Sequence, residues 1–559
     1  MKKLALVGLC SLLTTLAVAQ QKNAGTITGN MESTFQYLNA DTIIDAIQPP
    51  EKGLLNSYMN VFYTNGNFKA GMRIESYLPR IQGYPNQFDG TGLGMRYVGY
   101  ENDFVDITLG SFYEQFGSGM IFRTYENRSL GYDNLLDGTR VIVRPRAGLK
   151  FKGVYGLQRF SFQSGRIVHS DGIVRGFDGE INLNSAFPSL KDKKLKLTLG
   201  GSFVSKYQKD DREDLILPEN VGSYGGRFSS RYKKFTFDGE YIIKEQDPSV
   251  DNDFNYNYGH AALFNFGYST KGLGILLSAK SVDNMSFRSD RNAILQDLLI
   301  NFLPAMNKTH TYNLVASLYP YATQPVGEIA YQGEILYTIK RGSKLGGKYG
   351  TSINANYSVA YGPNRRPVDQ LLSDTSRVMY KTGFFDMSDS LYWQDFNINI
   401  YRKFNKKFNM KLSYFNITLN NDVAKVTDKA KGLINTNIAV VESVYKFNRK
   451  HSLRSELQAM FVSPDKNGDV NDNGNWATVV LEYNISPSWF FSVMDQYNYG
   501  NPDEDLRVHY FYASAGYIHE STRFTLGYGR QRAGLFCVGG VCRFVPASNG
   551  LTLSITHSF

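Results

Sequence analysis

The chain has 559 residues, of which 14% are aromatic, with 38 Tyr and 37 Phe against only 17 Pro, and its formal charge is +10. Mean hydropathy is −0.33, and beyond residue 19 no run of about 18 apolar residues occurs, which excludes a helical membrane span. The cations are scattered along an exported chain rather than gathered in one patch, so no nucleic-acid partner is expected.

In chain order, the first element is a leader. Lys2 and Lys3 precede an apolar run over 4–16, and Ala17-Val18-Ala19 follows. This is the layout of a secretory signal peptide over 1–19, leaving 20–559 as the mature domain. Cys10 lies inside the apolar run behind Leu9 and makes a poor lipid-attachment site.

Two-periodic, aromatic-rich segments then follow at 25–38, 54–65, 67–79, 92–101, 103–114, 147–157, 159–167, 174–184 and 194–206. Paired segments continue at 222–232 with 234–244, 256–269 with 272–281, and 327–340 with 348–361. The last nine lie at 394–404, 407–419, 434–447, 451–462, 475–485, 487–498, 506–518, 521–531 and 550–559. In 394–404, Phe396, Ile398, Ile400 and Phe404 share one face, and Asp395, Asn397, Asn399 and Lys403 share the other. Most segments reach the roughly 9–11 residues that a tilted membrane strand needs.

The connections alternate in length. "NKK" (405–407), "NRKH" (448–451), "SP" (486–487) and "HES" (519–521) are tight, whereas "NDVAKVTDKAKG", "SPDKNGDVNDNGN" and "LFCVGGVCRFVPASNG" are long. Tight turns on one side and long loops on the other describe an outer-membrane barrel. The expected fold is therefore all-β: a large single-chain transmembrane antiparallel β-barrel of about 24 strands, within a range of 20–26, with irregular and helical loop insertions. Two places strain the count: 288–325, where 288–304 read as a helix and 309–325 as one extra strand that breaks the parity, and the equally irregular 115–146.

The final segment, "GLTLSITHSF", places Leu551, Leu553, Ile555, His557 and Phe559 on one row. That row is expected to face lipid and to serve as the terminal signal read by barrel-insertion machinery. Thr552 to Ser558 are expected to face the lumen. The strand should pair with 521–531 on one edge and with 25–38 on the other, closing the sheet so that no edge is left in the membrane.

Several motifs bear on chemistry. In "CVGGVC", Gly539-Gly540 suits a two-residue hairpin loop, which sets Cys537 opposite Cys542 at a non-hydrogen-bonded pair about 4.5 Å apart. In an oxidising compartment a disulfide is expected there; a metal site and free thiols are the alternatives. Asp465, Asn467 and Asp469 occupy the first, third and fifth places of a calcium loop. Val470 stands where a glycine is needed and Trp476 where a glutamate is, so a solvated loop is the preferred reading. In 113–140, Glu114, Arg123, Glu126, Arg128, Asp133, Asp137 and Arg140 are candidates for a charged constriction folded into the lumen. An ordinary outer loop is the alternative.

Charge also sorts by side. Tight turns are basic, as at Lys191, Lys193, Lys194, Lys233, Lys234, Lys406, Lys407, Arg449 and Lys450. Long loops are acidic, as at Asp210, Asp211, Glu213 and Asp214, at Asp247, Asp251 and Asp253, and at Asp503, Glu504 and Asp505. Membrane lipid and lipopolysaccharide are the expected partners, with anionic head groups against the turns; ordinary solubilising charge explains the pattern equally. Neither HExxH nor GxSxG occurs, so no enzyme and no cofactor are expected.

The stretches "GSFYEQFGSGMIFRTYENRSLGYDN" and "HTYNLVASLYPYATQPVGE", and the tail "GYGRQRAGLFCVGGVCRFVPASNGLTLSITHSF", resemble an uncharacterised family of Bacteroidetes outer-membrane β-barrel proteins. The resemblance implies an outer-membrane barrel and transfers no catalytic or ligand residue. Two function classes follow: a channel or porin-like passage for small solutes, or an accessory subunit of an envelope secretion or surface-attachment assembly. No plug domain precedes the first strand-like segment, which disfavours an energised transporter.

Overall fold

The computed structural model describes residues 25–559 apart from 211, 369–377, 425–431, 464–473 and 539–540; side chains at 424, 535–538 and 541–543 are likewise left undescribed. The expected leader at 1–19 and the calcium-loop candidates Asp465, Asn467 and Asp469 lie outside these residues.

Twenty-four strands form one antiparallel sheet. We number them β1 (Thr26–Asn39), β2 (Gly53–Asn65), β3 (Phe68–Tyr77), β4 (Gly90–Glu101), β5 (Val105–Phe112), β6 (Leu136–Val143), β7 (Leu149–Gln163) and β8 (Arg166–Asn182). They continue as β9 (Leu195–Tyr207), β10 (Asn220–Tyr232), β11 (Phe235–Lys244), β12 (Gly259–Thr270), β13 (Leu273–Asp283), β14 (Gly327–Ile339), β15 (Thr351–Pro363) and β16 (Met387–Lys403). The last eight are β17 (Phe408–Asn420), β18 (Leu433–Lys446), β19 (His451–Ser463), β20 (Trp476–Ile485), β21 (Trp489–Tyr497), β22 (His509–His519), β23 (Thr522–Gln531) and β24 (Ser548–Ser558).

Each strand pairs with its sequence neighbours, and β24 pairs with both β23 and β1, so the sheet closes. Closure runs from Asn30 opposite Ser558 to Asn39 opposite Asn549. The terminal residue is held in this seam: Gly29 N donates to Phe559 O at 2.9 Å, and Phe559 N donates to Gly29 O at 3.0 Å. The Phe559 ring packs on Gly29, where an added Cβ would lie 2.4 Å from the ring. Gln36, register partner of Thr552, accepts from Gln82 N of an inward-folded segment, so the threonine row faces the interior as expected.

The expected strand number is met, but by two compensating differences. Residues 136–143, read as irregular, form β6, and 159–167 are not a separate strand but the ends of β7 and β8 around a turn at 164–165. Residues 288–304 are not helical. Their backbone groups bond elsewhere, with Ile300 N donating to Phe287 O at 2.8 Å and Ile300 O accepting from Arg123 N at 2.9 Å. Leu295 and Leu298 adopt positive φ of 57° and 55°, which no helix tolerates. In 309–325 the regular element is a short helix, Asn313–Leu318, not a strand.

Outward rows are apolar and exposed, as at Leu277 (50%), Leu481 (44%) and Leu526 (47%). The main hydrophobic cluster, in contrast, sits inside the barrel. Phe415, Ile417 and Leu419 of β17, Ile438 of β18 and Met460 of β19 point inward and are almost fully buried. An all-polar inner row is thus confined to part of the wall. Elsewhere the wall packs on chain segments that fill the lumen, and apolar surface is what such packing requires.

Candidate functional site

Two insertions at the long-loop end fold into the lumen. The first, 113–135, joins β5 to β6; the second, 284–326, joins β13 to β14. They are knitted to each other: Phe302 N donates to Gly119 O at 2.9 Å, and Asn134 Nδ2 donates to Leu299 O at 3.0 Å.

The first insertion is anchored by charge. Arg73 of β3 and Arg159 of β7, 1% and 2% exposed, converge on Glu75, which is fully buried. Arg73 Nε lies 2.7 Å from Glu75 Oε1 and Arg159 Nη2 lies 2.8 Å from Oε2. Both guanidinium groups also reach Asp133 of the insertion, Arg159 at 2.9 Å, and Arg73 reaches Glu126 at 3.0 Å. Tyr77 donates to Glu75 at 2.8 Å and Tyr113 to Asp133 at 2.8 Å. Arg128 extends the network from Glu126, at 2.7 Å, to Glu32 of β1, at 2.8 Å.

Local irregularity places these arginines. The β3–β4 pairing shifts register between Arg73 and Ile74, and the β7–β8 pairing shifts on both sides of Arg159. Bulges re-aim side chains, and here they turn two cations onto one carboxylate. The residue skipped in β4 is Gly94, where a Cβ would lie 2.0 Å from Glu75 Oε1, so only glycine leaves Glu75 its place.

The expected constriction cluster is therefore split. Glu126, Arg128 and Asp133 join the buried network. Glu114 and Arg140 belong to a second chain of contacts along the wall, Glu114 pairing with Lys152 at 2.7 Å and Arg140 with Asp106. Asp137 pairs with Arg96 at 3.0 Å and His169 at 3.2 Å. Arg123 is sandwiched between the Tyr125 and Phe302 rings, 4.4 and 4.2 Å from their centroids. Arg73, Glu75 and Arg159 escaped the sequence reading. Their signal was the inward row of β3, where Arg73, Glu75 and Tyr77 alternate.

Burial pushes the Glu126 carboxyl above its ordinary value, against the pull of Arg73 and Arg128. An acid raised in the folded state contributes stability that is fully present below its unfolded pKa and is lost as pH rises through the folded one. The stability margin of the wild type over Glu126→Gln should therefore shrink as pH rises from about 4 to about 8, read from urea midpoints. A margin that does not move with pH would refute this.

The second insertion runs along the inner wall as a strap from β13 to β19. Its ends, Pro304 O and Thr323 Oγ1, both accept from Lys280 Nζ, at 2.6 and 3.1 Å. Lys280 is itself fully buried and paired with Glu328 at 2.8 Å. Between these ends, His310 Nε2 meets Asp395 at 2.7 Å, Tyr312 donates to Glu442 at 3.0 Å, and Leu314 N donates to Gln458 at 3.1 Å. Tyr321 stacks on Trp393 with centroids 5.4 Å apart. The strap thus touches β16, β18 and β19 in turn.

A cavity of about 480 Å³ remains where the two insertions meet the wall of β21 to β23. Ser129 of the first insertion, Asn313 and Ser317 of the strap, and inward-facing Met494, Gln496 and Tyr512 line it, and Arg530 and Arg532 contribute to the same lining. Arg530 is tied to Asp41 at 2.6 Å.

Of the remaining candidates, Cys537 and Cys542 are register partners in the hairpin Gly534–Val538 with Val541–Val545, and their side chains lie outside the described residues. Asp211 also lies outside them. Asp247 is not a solvated loop acid: it is 3% exposed, with Lys206 at 2.6 Å and Lys244 at 3.5 Å. Among the described residues no group of His, Cys, Asp and Glu is arranged to hold a metal ion.

The fold and its interior define a class: a closed antiparallel barrel whose lumen is occupied by its own connecting segments. The chain belongs to a family described as of unknown function (DUF6029), whose model matches residues 1–559. No curated protein sequence matches it. Among solved structures it is similar to the siderophore receptor PirA from Pseudomonas aeruginosa, at 11% identity and a TM-score of 0.41 over 97% of this chain and 81% of that one. It is also similar to the outer membrane transporter YddB from Escherichia coli, at 8% identity and a TM-score of 0.40 over 95% and 81%. A third is the copper transporter OprC, at 9% identity and a TM-score of 0.41 over 97% and 81%. At these values the likeness says nothing of this chain's cargo.

Proposed function

We propose that the protein is an outer-membrane barrel that passes small solutes selectively along the edge of its own plug. The observation that carries this reading is the cavity beside the strap, bounded on one side by the two insertions and on the other by Met494, Gln496 and Tyr512 of the wall. Exposed apolar residues on outward rows around a closed sheet support a lipid surrounding. A barrel of this size encloses a lumen wide enough for water unless something fills it. Here the filling is led by two loops, one clamped by buried ion pairs and one strapped along the wall, with shorter segments such as that of Gln82 beside them. An open porin is less well supported than a gated passage, because the strap reaches from β13 to β19.

The second reading, an accessory subunit of an envelope assembly, draws on the same interior. Leu314 of the strap is fully buried and Val315 is 2% exposed, packing suited to a permanent core.

Planar bilayers separate the two. The passage reading expects small discrete openings from the wild type, and a marked loss of them in Gln496→Trp, which fills the cavity. A wild type that is silent, and stays silent when the strap is excised from an intact barrel, overturns it.

A further inference from the structure

The tight-turn end of the barrel carries a one-sided arc of cations. Seven successive connections around that rim are basic: 144–148, 183–194, 233–234, 271–272, 340–350, 404–407 and 447–450. One residue from each is Arg146, Lys193, Lys233, Lys271, Lys344, Lys407 and Lys450, and all are exposed. Asp192 is the one acid among these connections, while 486–488, 520–521, 66–67 and 102–104 have no Lys or Arg and include Asp103 and Glu520. Among the described residues none of the seven forms an ion pair.

The arc is interleaved with aromatic rings at the same level. Arg146 lies over Phe187 at 5.9 Å, Lys233 over Tyr232 at 5.2 Å, and Arg402 over Phe404 at 5.3 Å. Lys348 and Lys403 share the Tyr349 ring, at 5.9 and 5.0 Å. Phe187, Tyr232 and Phe404 are 41%, 46% and 43% exposed, so each ring presents an open face beside its cation. In a membrane barrel, aromatic rings at the end of the apolar band sit at head-group depth. A cation stacked on such a ring is then at the depth of lipid phosphates. A leaflet surrounds the whole rim, so its average charge does not call for a sector. A sector marks a place where anionic lipids are gathered.

We propose that this arc, from 144–148 to 447–450, binds anionic phospholipid head groups of the leaflet at the tight-turn end. The inference rests on the membrane reading above and is independent of what, if anything, the lumen passes. The cations are left without carboxylate partners because the phosphates are their partners, and the arc fixes a shell of anionic lipid along one side of the barrel.

The test is lipid retention. The full chain is placed in nanodiscs of mixed phosphatidylglycerol and phosphatidylethanolamine, extracted gently, and its bound lipids are counted by native mass spectrometry. The wild type should retain phosphatidylglycerol in preference. The triple variant Lys406→Gln, Lys407→Gln, Lys450→Gln should lose about tenfold or more of that preference, since each cation near an anionic surface is worth on the order of fivefold. Lys52→Gln, Lys209→Gln, Lys381→Gln removes the same charge at the opposite end and should retain the lipid as the wild type does. Equal retention of the two lipids by the wild type, or equal losses in both triples, overturns the proposal. So does capture of an acidic soluble protein with no lipid preference. A chain that does not enter nanodiscs strikes the membrane reading instead.

Discussion

Replacing Arg159 by methionine should destabilise the barrel by about 3–5 kcal/mol, the range for removing one partner from a buried ion-pair network. Glu75 would keep Arg73 and the Tyr77 hydroxyl but lose one of its two cations, in a site with no access to water, and Asp133 would lose its bond of 2.9 Å. Methionine keeps most of the arginine volume, so the loss is electrostatic rather than a cavity. Urea unfolding followed by the heat-dependent gel shift of folded barrels measures it. Adding Glu75→Gln to Arg159→Met should recover a large part of the loss, because the second change removes the carboxylate charge that has lost a cation. A single variant within about 1 kcal/mol of the wild type would show the pair to be no more than a surface-like contact. Protease cleavage within 113–135 should also rise in the single variant, since Asp133 is the insertion's main tether to the wall.

Excising 305–322 should turn a nearly closed barrel into an open one. Pro304 O and Thr323 Oγ1 sit on one ammonium group, that of Lys280, so a Gly-Gly linker spans the cut without moving β13 or β14. Asp395, Glu442 and Gln458, all on the inner wall, would give up their strap partners to water, and no barrel strand would be shortened. Conductance in planar bilayers should rise by roughly tenfold or more, in line with the water-filled lumen that wide barrels have when unplugged. A deletion variant that folds and conducts no better than the wild type would mean that the first insertion and neighbouring loops seal the lumen without the strap.

The barrel was legible in the sequence because outward rows such as Val479, Leu481 and Tyr483 alternate cleanly and because tight and long connections alternate with them. It was least legible where the interior dictates the wall. In β6, Leu136, Gly138, Arg140 and Ile142 make one row and Asp137, Thr139, Val141 and Val143 the other, so neither row is apolar and the strand does not announce itself. Around Arg159 the bulges break the period of two, and the ends of two long strands read as one short one. The apolar spacing of 294–300 mimics a helix, yet Ile300 spends its backbone bonds on Phe287 and on Arg123 of the first insertion. The charged cluster was half visible. Glu126, Arg128 and Asp133 stood out as charges in an irregular stretch, while their partners lay within strands, spaced like any wall residues.

The seam between β1 and β24 also bears on how the chain acquires its shape. Thr34 Oγ1 and Ser554 Oγ lie 3.3 Å apart, though 520 positions separate them. Contacts of such sequence separation form late and slowly, so β1 must keep an unpaired edge through the whole of assembly, and an unpaired edge invites pairing with other chains. The order of events is therefore constrained: β1 has to be shielded until β24 arrives.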